Sequence, residues 1–160
     1  MRALREITET EYAAWLDQAV RAYAQDKVTS GAWAENGAHE RSRVEHEALL
    51  PQGRQTTGHH LYSILAESGE VVGTIWFAAE TRGDSRVAYI YNIFIDPSRR
   101  RKGNATPAIA ALEHQIKPLG LTGIALHVFA HNLAAKSLYE KLGFKPMNFN
   151  LYKPLGNTGA

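Results

Sequence analysis

The hydrophobic pattern of the chain changes its period at Pro97, and this change constrains the fold more than any other feature. Before Pro97, residues 71–79 and 87–95 are rich in β-branched and aromatic side chains, which predicts two strands joined by a turn at 82–85. After Pro97, apolar residues recur at helical spacing until Gly120; they are Ala108, Ile109, Leu112, Ile116 and Leu119. A strand that leads directly into a helix is typical of a mixed α/β domain.

The front half of the chain predicts two helices and a set of antiparallel strands. Thr8 and Glu11 fit the capping box that opens a helix near Glu9. Residues 36–50 predict a second, mostly polar helix that ends before Pro51. The predicted strands of this half are a short one at 1–7, then 61–66, 71–79 and 87–95, of which the last three are expected to pair antiparallel.

The back half alternates strands with helices. Its predicted elements after the first helix are a buried strand at 124–129, a helix at 132–142 and a final strand or hairpin half at 144–152. This order implies parallel pairing in the back half. We therefore expect one α/β domain over residues 1–155, with a mixed central sheet that is antiparallel first and parallel later, flanked by helices. Residues 156–160 are expected to form a loose tail.

Composition excludes several classes of protein. The chain has 160 residues, 44% of them hydrophobic and 21% charged, which suffices for one core without metal or disulfide support. It has no cysteine, so disulfides, thiolate zinc sites and a cysteine nucleophile are excluded. The net charge of +2 does not favour nucleic acid, and no segment approaches the ~20 apolar residues of a membrane span. The N-terminus lacks the apolar run of a signal peptide, so we expect a cytoplasmic protein with neither a membrane nor a nucleic-acid partner.

A basic loop, residues 100–106, lies where the predicted strand gives way to the predicted helix. The first turn of a helix leaves backbone N–H groups without partners and carries the positive end of the helix dipole, so it suits a phosphate group. Gly103 and Ala105 would let the backbone approach such a group closely. Three cations would add charge-assisted contacts; they are Arg100, Arg101 and Lys102. The alternative is a solvated basic loop without a ligand.

A second stretch, residues 127–144, is ambiguous by itself. Asn132 is placed to cap the helix that follows it, and Tyr139 lies two turns into that helix. An isolated tyrosine in this position is usually part of the core.

The two stretches together resemble the GCN5-related N-acetyltransferase (GNAT) family. The family motif Arg/Gln-x-x-Gly-x-Gly/Ala is matched by Arg100, Gly103 and Ala105. The motif Asn-x-x-Ala-x-x-Leu-Tyr-x-x-x-Gly-Phe is matched, in order, by Asn132, Ala135, Leu138, Tyr139, Gly143 and Phe144. The resemblance covers about residues 89–152 and extends to small bacterial members of uncertain substrate. Many relatives carry glycine at the position of Arg101 and an apolar residue at that of Asn104.

This resemblance implies transfer of an acetyl group from acetyl-CoA to an amine by direct attack. The pyrophosphate would lie on the basic loop, and a bulged strand near residues 93–95 would offer a backbone N–H to the developing oxyanion. Tyr139 matches the tyrosine that protonates the leaving thiolate. The residues expected at the cofactor are Ile93, Phe94, Ile95, Arg100, Arg101, Lys102, Gly103, Asn104, Ala105, Thr106, Asn132 and Tyr139.

The sequence does not identify the residue that acts as general base. Relatives often carry a glutamate on the strand equivalent to 87–95, where this chain has Tyr89, Tyr91 and Asn92 instead. The remaining candidates are water or one of His127, His131, Glu80 and Tyr91. His59 and His60 are adjacent and should face opposite sides of a strand, so at most one lines the acceptor mouth, and no metal site is expected. The first two helices are expected to form the acceptor site, with Trp15, Tyr23, Trp33, Glu45 and Glu47 available there.

Two other functions compete with acetyl transfer. One is a CoA-binding sensor or interaction module that keeps the fold without catalysis. The other is nucleic-acid contact through the basic loop, which lacks the flanking aromatic residues that would stack on bases. The sequence leaves open the acceptor, an acyl group larger than acetyl, and a homodimer.

Overall fold

One five-stranded sheet organises the computed structural model, which describes residues 3–156. The strands are β1 (Leu4–Glu6), β2 (His59–Leu65), β3 (Val71–Arg82), β4 (Ser85–Ile95) and β5 (Ile124–Leu126). The helices are α1 (Glu9–Thr29), α2 (Ala38–Leu49), α3 (Ala105–Ile116) and α4 (Leu133–Lys141). The strands follow chain order across the sheet, and every pair is antiparallel except β4 and β5, which are parallel. The predicted mixed sheet, antiparallel first and parallel later, is confirmed.

The capping box at the start of α1 is also confirmed. The Thr8 hydroxyl accepts a hydrogen bond from the Glu11 N–H at 3.2 Å, and the Glu11 carboxylate accepts one from the Thr8 N–H at 2.9 Å. Glu11 also accepts from Arg5 on β1 and Ser63 on β2. Through Glu11, the start of α1 is hydrogen-bonded to two strands of the sheet.

The sheet is covered on both faces, and β3 divides its side chains between them. Ile75 and Phe77 face α3, whereas Trp76 faces α1. The core on the α3 face contains Leu4, Ile64, Val72, Ile75, Phe77, Ala88, Ile90, Ala108, Ile109, Leu112, Ile116 and Leu121. The core on the α1 face contains Ile7, Tyr12, Trp15, Ala19, Leu50, Leu61 and Trp76.

A β-bulge interrupts β4 near its middle. Asn92 lies opposite Trp76 and Ile90 lies opposite Phe77, so Tyr91 has no partner of its own on β3. The parallel pairing of β4 with β5 ends at Ile90. The second half of β4 therefore has a neighbour on one side only, and a gap opens between β4 and the chain that follows β5.

The predictions for the end of the chain need correction. The strand expected at 124–129 ends at Leu126, and residues 144–152 form no strand within the described part of the chain. Their alternating pattern favours a strand, but within residues 3–156 this segment pairs with no strand of the sheet. Met1 and Arg2 of the predicted first strand, and 157–160 of the predicted tail, lie outside the described residues.

None of the helices within residues 3–156 combines the length and the apolar character that a membrane crossing requires.

Candidate active site

The basic loop joins the end of β4 to the start of α3 through a short 3-10 turn at Pro97–Arg99. Two of its residues adopt the left-handed backbone conformation, Arg101 with φ 62° and Gly103 with φ 76°. Arg101 is the one non-glycine residue with positive φ in the described structure. Because a side chain disfavours this conformation, glycine would fit position 101 with less backbone strain than arginine does.

The backbone of this loop is rich in N–H groups without partners. Within residues 3–156, the N–H groups of 101–104 donate to no backbone carbonyl. Asn104 precedes α3 but makes no side-chain cap to it, and its Nδ2 donates to the Arg99 carbonyl at 3.1 Å. The positive end of α3 is thus left uncapped beside a run of open donors, which is the arrangement that binds phosphate.

The basic side chains in and before the loop make different contacts. The Arg100 guanidinium donates from Nε to the Ile95 carbonyl at 2.8 Å and lies 5.5 Å from the centre of the Phe94 ring, so it braces the loop against β4. Arg99 pairs with the Glu70 carboxylate. In the described chain, Arg101 and Lys102 form no ion pair and are exposed. These two side chains can therefore turn towards an anion on the loop.

The predicted oxyanion residues lie on β4 beyond the bulge. Ile93 and Ile95 pack their side chains against the α3 face, and Phe94 lies beneath Arg100. Their backbone borders the gap where β4 has lost its β5 neighbour. The bulge itself is at Tyr91, two residues earlier than the predicted N–H donors.

Tyr91 and Glu80, two of the base candidates, are in direct contact. The Tyr91 hydroxyl donates to Glu80 Oε1, and Glu80 also pairs with Arg82 at 2.9 Å. The Tyr91 ring stacks on Trp76 with 4.7 Å between ring centres. Burial, together with the hydrogen bond to Glu80, raises the pKa of Tyr91 to about 12. A neutral phenol at the bulge is thus one hydrogen bond from a carboxylate.

His59 and His60 face opposite sides of the sheet, as their adjacency predicts. His59 accepts a hydrogen bond at Nδ1 from Trp76 Nε1 at 2.9 Å and lies 5.6 Å from Tyr91. His60 stacks on Phe77 on the other face. Burial lowers the pKa of both rings, which favours the neutral form.

The other two histidine candidates lie near the end of α1. His131 Nε2 is 3.0 Å from the Asp26 carboxylate, and the His127 ring meets Phe129 edge-on at 4.8 Å. Partial burial and the nearby Lys27 lower the pKa of His127. In the part of the chain that the structure describes, neither histidine makes a hydrogen bond or ring contact with Tyr91.

Asn132 and Tyr139 have clear local contacts on α4. Asn132 Oδ1 accepts a hydrogen bond from the Ala135 N–H at 3.4 Å and so caps the helix, as its sequence position predicts. The Tyr139 ring meets Phe144 edge-on at 5.5 Å. Burial raises the pKa of Tyr139 to about 12, so its hydroxyl keeps its proton at neutral pH. Gly143, with φ 95°, ends the helix and returns Phe144 to this contact.

Aromatic rings line the α1 face beside the bulge, and sequence reasoning missed the central one. Trp76 contacts Trp15, His46, His59 and Tyr91 with ring centres 4.7 to 5.9 Å apart. Its alternation with Ile75 and Phe77 on β3 was the signal that could have placed it there. The other predicted acceptor residues are the half-buried Tyr23, the buried Trp33 against it, Glu45, and Glu47 in an ion pair with Arg43.

A pocket of about 300 Å³ opens elsewhere, at the β1–β2 end of the sheet. It is lined by Glu6, Ile7, Arg54, Gln55, His59, His60, Leu61 and Tyr62 and includes no residue of the basic loop. Residues 3–156 contain no cluster of three or more histidine, aspartate or glutamate side chains that could hold a metal ion.

Comparison with known proteins shows the family of the chain. The model of the acetyltransferase (GNAT) family matches residues 3–144. YdgE of Bacillus subtilis (strain 168), an uncharacterized N-acetyltransferase, is 35% identical over 95% of this chain and 97% of its own. The crystal structure of YycN from Bacillus subtilis has a TM-score of 0.88 at 34% identity and covers 95% of this chain and 97% of that one. An aminoglycoside antibiotic 6'-N-acetyltransferase from Acinetobacter baumannii has a TM-score of 0.62 at 20% identity over 96% and 98% of the two chains, which is a likeness of fold alone. The chain belongs to the acetyltransferase (GNAT) family.

Proposed function

We propose that this GNAT-type acyltransferase moves an acetyl group from acetyl-CoA to a primary amine of a small molecule or a protein. One observation carries the proposal: the unpaired N–H groups of 101–104 stand at the uncapped start of α3, beside the gap between β4 and β5. The loop supplies a place for a pyrophosphate. The gap supplies an open strand edge along which an extended pantetheine arm can reach the bulge.

The loop residues fit the charge of acetyl-CoA. The backbone of 101–104 would donate to the pyrophosphate, while Arg101 and Lys102 would neutralise it. Arg100 would keep the loop in shape through its bond to the Ile95 carbonyl. When bound, acetyl-CoA supplies an activated thioester, and backbone N–H groups of 93–95 would stabilise the oxyanion at its carbonyl.

Glu80 and Tyr91 form the best-supported base. A phenol with a pKa of about 12 is no base by itself at neutral pH. It can, however, accept a proton from the amine while it passes its own proton to Glu80, to which it is already hydrogen-bonded. The carboxylate and the surrounding aromatic rings also favour a cationic amine as the acceptor.

Tyr139 would act on the leaving thiolate chiefly through a hydrogen bond. Its pKa of about 12 lies roughly 3.5 units above the ~8.5 of an ordinary thiol, so complete proton transfer would run uphill. A hydrogen bond that strengthens as the negative charge develops on sulfur would still lower the barrier. Asn132 would hold the start of α4 beside the pantetheine while it caps the helix.

The direct test is a panel of amines with acetyl-CoA, read by thiol release. The chain has no cysteine, so released CoA is the one thiol in the assay. We expect turnover with at least one cationic amine, and a loss of tenfold or more in Gly103→Glu. Gly120→Glu is the matched control, because Gly120 has the same φ of 76° and equally open surroundings at the far end of α3. A parent protein that binds acetyl-CoA but releases no thiol with any amine would instead be a CoA-binding module.

A further inference from the structure

His46 is a buried histidine that the proposed reaction leaves unused. It lies on α2 and is 7% exposed, with its ring centre 5.6 Å from that of Tyr23 on α1 and 5.9 Å from that of Trp76 on β3. Tyr91 stacks on the same Trp76 ring, with 4.7 Å between the centres. One aromatic ring therefore separates His46 from the tyrosine beside which the amine is proposed to react.

The hydrogen bonds of His46 determine which ring nitrogen carries the proton. Nδ1 is 2.8 Å from the Ser42 carbonyl oxygen, which can only accept, so Nδ1 must donate. The Ser42 hydroxyl lies 3.5 Å from the same nitrogen, but it gives its own proton to the Val20 carbonyl at 2.7 Å. In the neutral ring, the free lone pair is consequently on Nε2.

Nε2 of His46 is available to a bound molecule. Within residues 3–156 it has no hydrogen-bond partner, since both polar contacts of the ring are made by Nδ1. Among the buried and half-buried side chains of this range, Gln18 Oε1 is the one unpartnered polar atom that is completely shut off from solvent, so His46 Nε2 keeps some contact with solvent. A single well-placed acceptor among aromatic groups is how a binding site fixes the orientation of a ligand.

The charge around His46 favours a cationic donor. Glu45, the residue before it on α2, forms no ion pair within the described chain. Burial raises the pKa of the neighbouring Tyr23 and the Glu45 carboxylate raises it further, whereas Arg41 has the opposite, smaller effect. An ammonium group would gain both a charge-assisted hydrogen bond to Nε2 and the attraction of Glu45, whereas a hydroxyl group would gain the hydrogen bond alone.

We propose that the acceptor is a diamine, whose first amino group is acetylated beside Tyr91 while its second, an ammonium group, donates a hydrogen bond to His46 Nε2. The aliphatic chain between the two nitrogens would pass along Trp76, which contacts both residues. In the transfer itself, an N–C bond forms as the C–S bond of the thioester breaks; one proton of the first amine is taken up by the CoA thiolate and one leaves through Tyr91 and Glu80. The inference rests on the proposed function, because it names the acceptor of that same site.

A paired series of amines tests the inference on the parent protein. Diamines with four to six carbons are each compared with the monoamine of the same carbon number, by thiol release at about pH 8, where amino groups are largely protonated. We expect kcat/KM of the best diamine to exceed that of its monoamine at least tenfold, chiefly through a lower KM. Equal values in every pair overturn the inference and leave acetyl transfer intact. No thiol release with any amine overturns the proposed function, and the inference with it.

Substitution of His46 tests the residue. His46→Phe keeps the ring but removes Nε2, so it should raise KM for the diamine about tenfold and leave the monoamine unchanged, while His46→Gln, which offers an amide oxygen, should recover part of the preference. His60→Phe is the matched control, because His60 is half-buried and stacks on Phe77 on the opposite face of the sheet. A folded His46→Phe protein that keeps the preference for diamines, or that loses activity on both amines equally, overturns the role of His46.

Methylation of the second amino group tests the hydrogen bond without any substitution in the chain, and so decides the matter whether or not His46→Phe folds. A trimethylammonium group keeps the charge but has no N–H to donate. Such an acceptor should lose most of the advantage of the diamine over the monoamine. A trimethylated acceptor that reacts as well as the diamine would overturn the assignment of His46 Nε2.

Discussion

At the scale of single residues, Arg101 combines a favourable charge with an unfavourable backbone. Its φ of 62° places a side chain in the left-handed region at the centre of the candidate phosphate loop. A non-glycine residue there costs roughly 1 to 2 kcal/mol. The strain is therefore located in the loop whose backbone N–H groups would bind the proposed pyrophosphate.

Arg101→Gly is expected to be more stable than Arg101→Ala by about 1 kcal/mol. Both variants remove the same charge, so their difference isolates the backbone conformation. Urea unfolding measures the two free energies of unfolding. Equal stability, or a more stable alanine variant, would show that this loop is not left-handed at residue 101.

Tyr139→Phe should preserve affinity for acetyl-CoA and reduce turnover by about 10²-fold, because the ring packing against Phe144 survives and the hydroxyl donor is lost. Since the pKa of Tyr139 is about 12, its hydroxyl should add no limb to the pH profile below pH 10. The measurement is kcat under conditions where chemistry limits the rate, with the exposed Tyr152→Phe as control. Unchanged kcat in Tyr139→Phe would assign this tyrosine to packing alone.

The pH profile of kcat/KM distinguishes the possible bases. A Glu80–Tyr91 base predicts a flat profile from pH 6 to 9 on an amine with a pKa near ~10, because the base takes its proton from the cationic amine that predominates over this range. Glu80→Gln should convert this into a rise of about tenfold per pH unit, because the amine must then arrive neutral. His127→Gln and His131→Gln should keep the flat profile. A rise that levels off by about pH 8 and disappears in one histidine variant would assign the base to that histidine.

At the scale of elements, Gly73 lets β3 approach β4 closely at the point where β4 leads into the loop. A Cβ on Gly73 would lie 2.1 Å from the Phe94 carbonyl oxygen, a distance that the backbone cannot accept without moving. β3 must therefore carry glycine opposite Ile95 for the end of β4 to stay in register.

Gly73→Ala should destabilise the fold by about 2 kcal/mol or more and weaken binding of acetyl-CoA, because β4 must shift at the start of the loop. Gly123→Ala is the control, since Gly123 lacks positive φ and its Cβ would have only an ordinary contact, 3.9 Å from Val87. Thermal unfolding monitors both variants. A Gly73→Ala protein as stable as the control would contradict the close approach of the two strands.

Local signals in the sequence predicted most elements, and contacts between distant residues account for what was missed. The capping box of Thr8 and Glu11 acts over three residues, so the start of α1 could be placed correctly. The bulge at Tyr91 depends on the register between β3 and β4, and the pairing of Tyr91 with Glu80 depends on that bulge. No local pattern encodes either. Residues 144–152 fail as a predicted strand for a related reason, because alternation describes a strand but does not supply its partner.

At the scale of the whole molecule, the candidate site lies at the border of two unequal halves. The front half, with α1, α2 and β1 to β4, supplies the buried aromatic residues beside the bulge. The back half, with β5 and α4, carries Asn132 and Tyr139, and none of its described residues from 122 to 156 is fully buried. The gap between β4 and β5 lies along this border, and the start of α3 lies at its end. A ligand in this gap would contact both halves and stabilise their arrangement.

Hydrogen–deuterium exchange with and without acetyl-CoA tests the central claim most directly, since it reports on individual stretches of backbone. If the pyrophosphate lies on the basic loop, peptides that cover 100–106 should exchange at least tenfold more slowly with saturating acetyl-CoA or CoA. Peptides around the pocket at the β1–β2 end, which include Arg54 and His59, should not change. Unchanged exchange across 100–106 at saturating ligand, or protection confined to the β1–β2 end, would contradict the assignment of the cofactor to this loop.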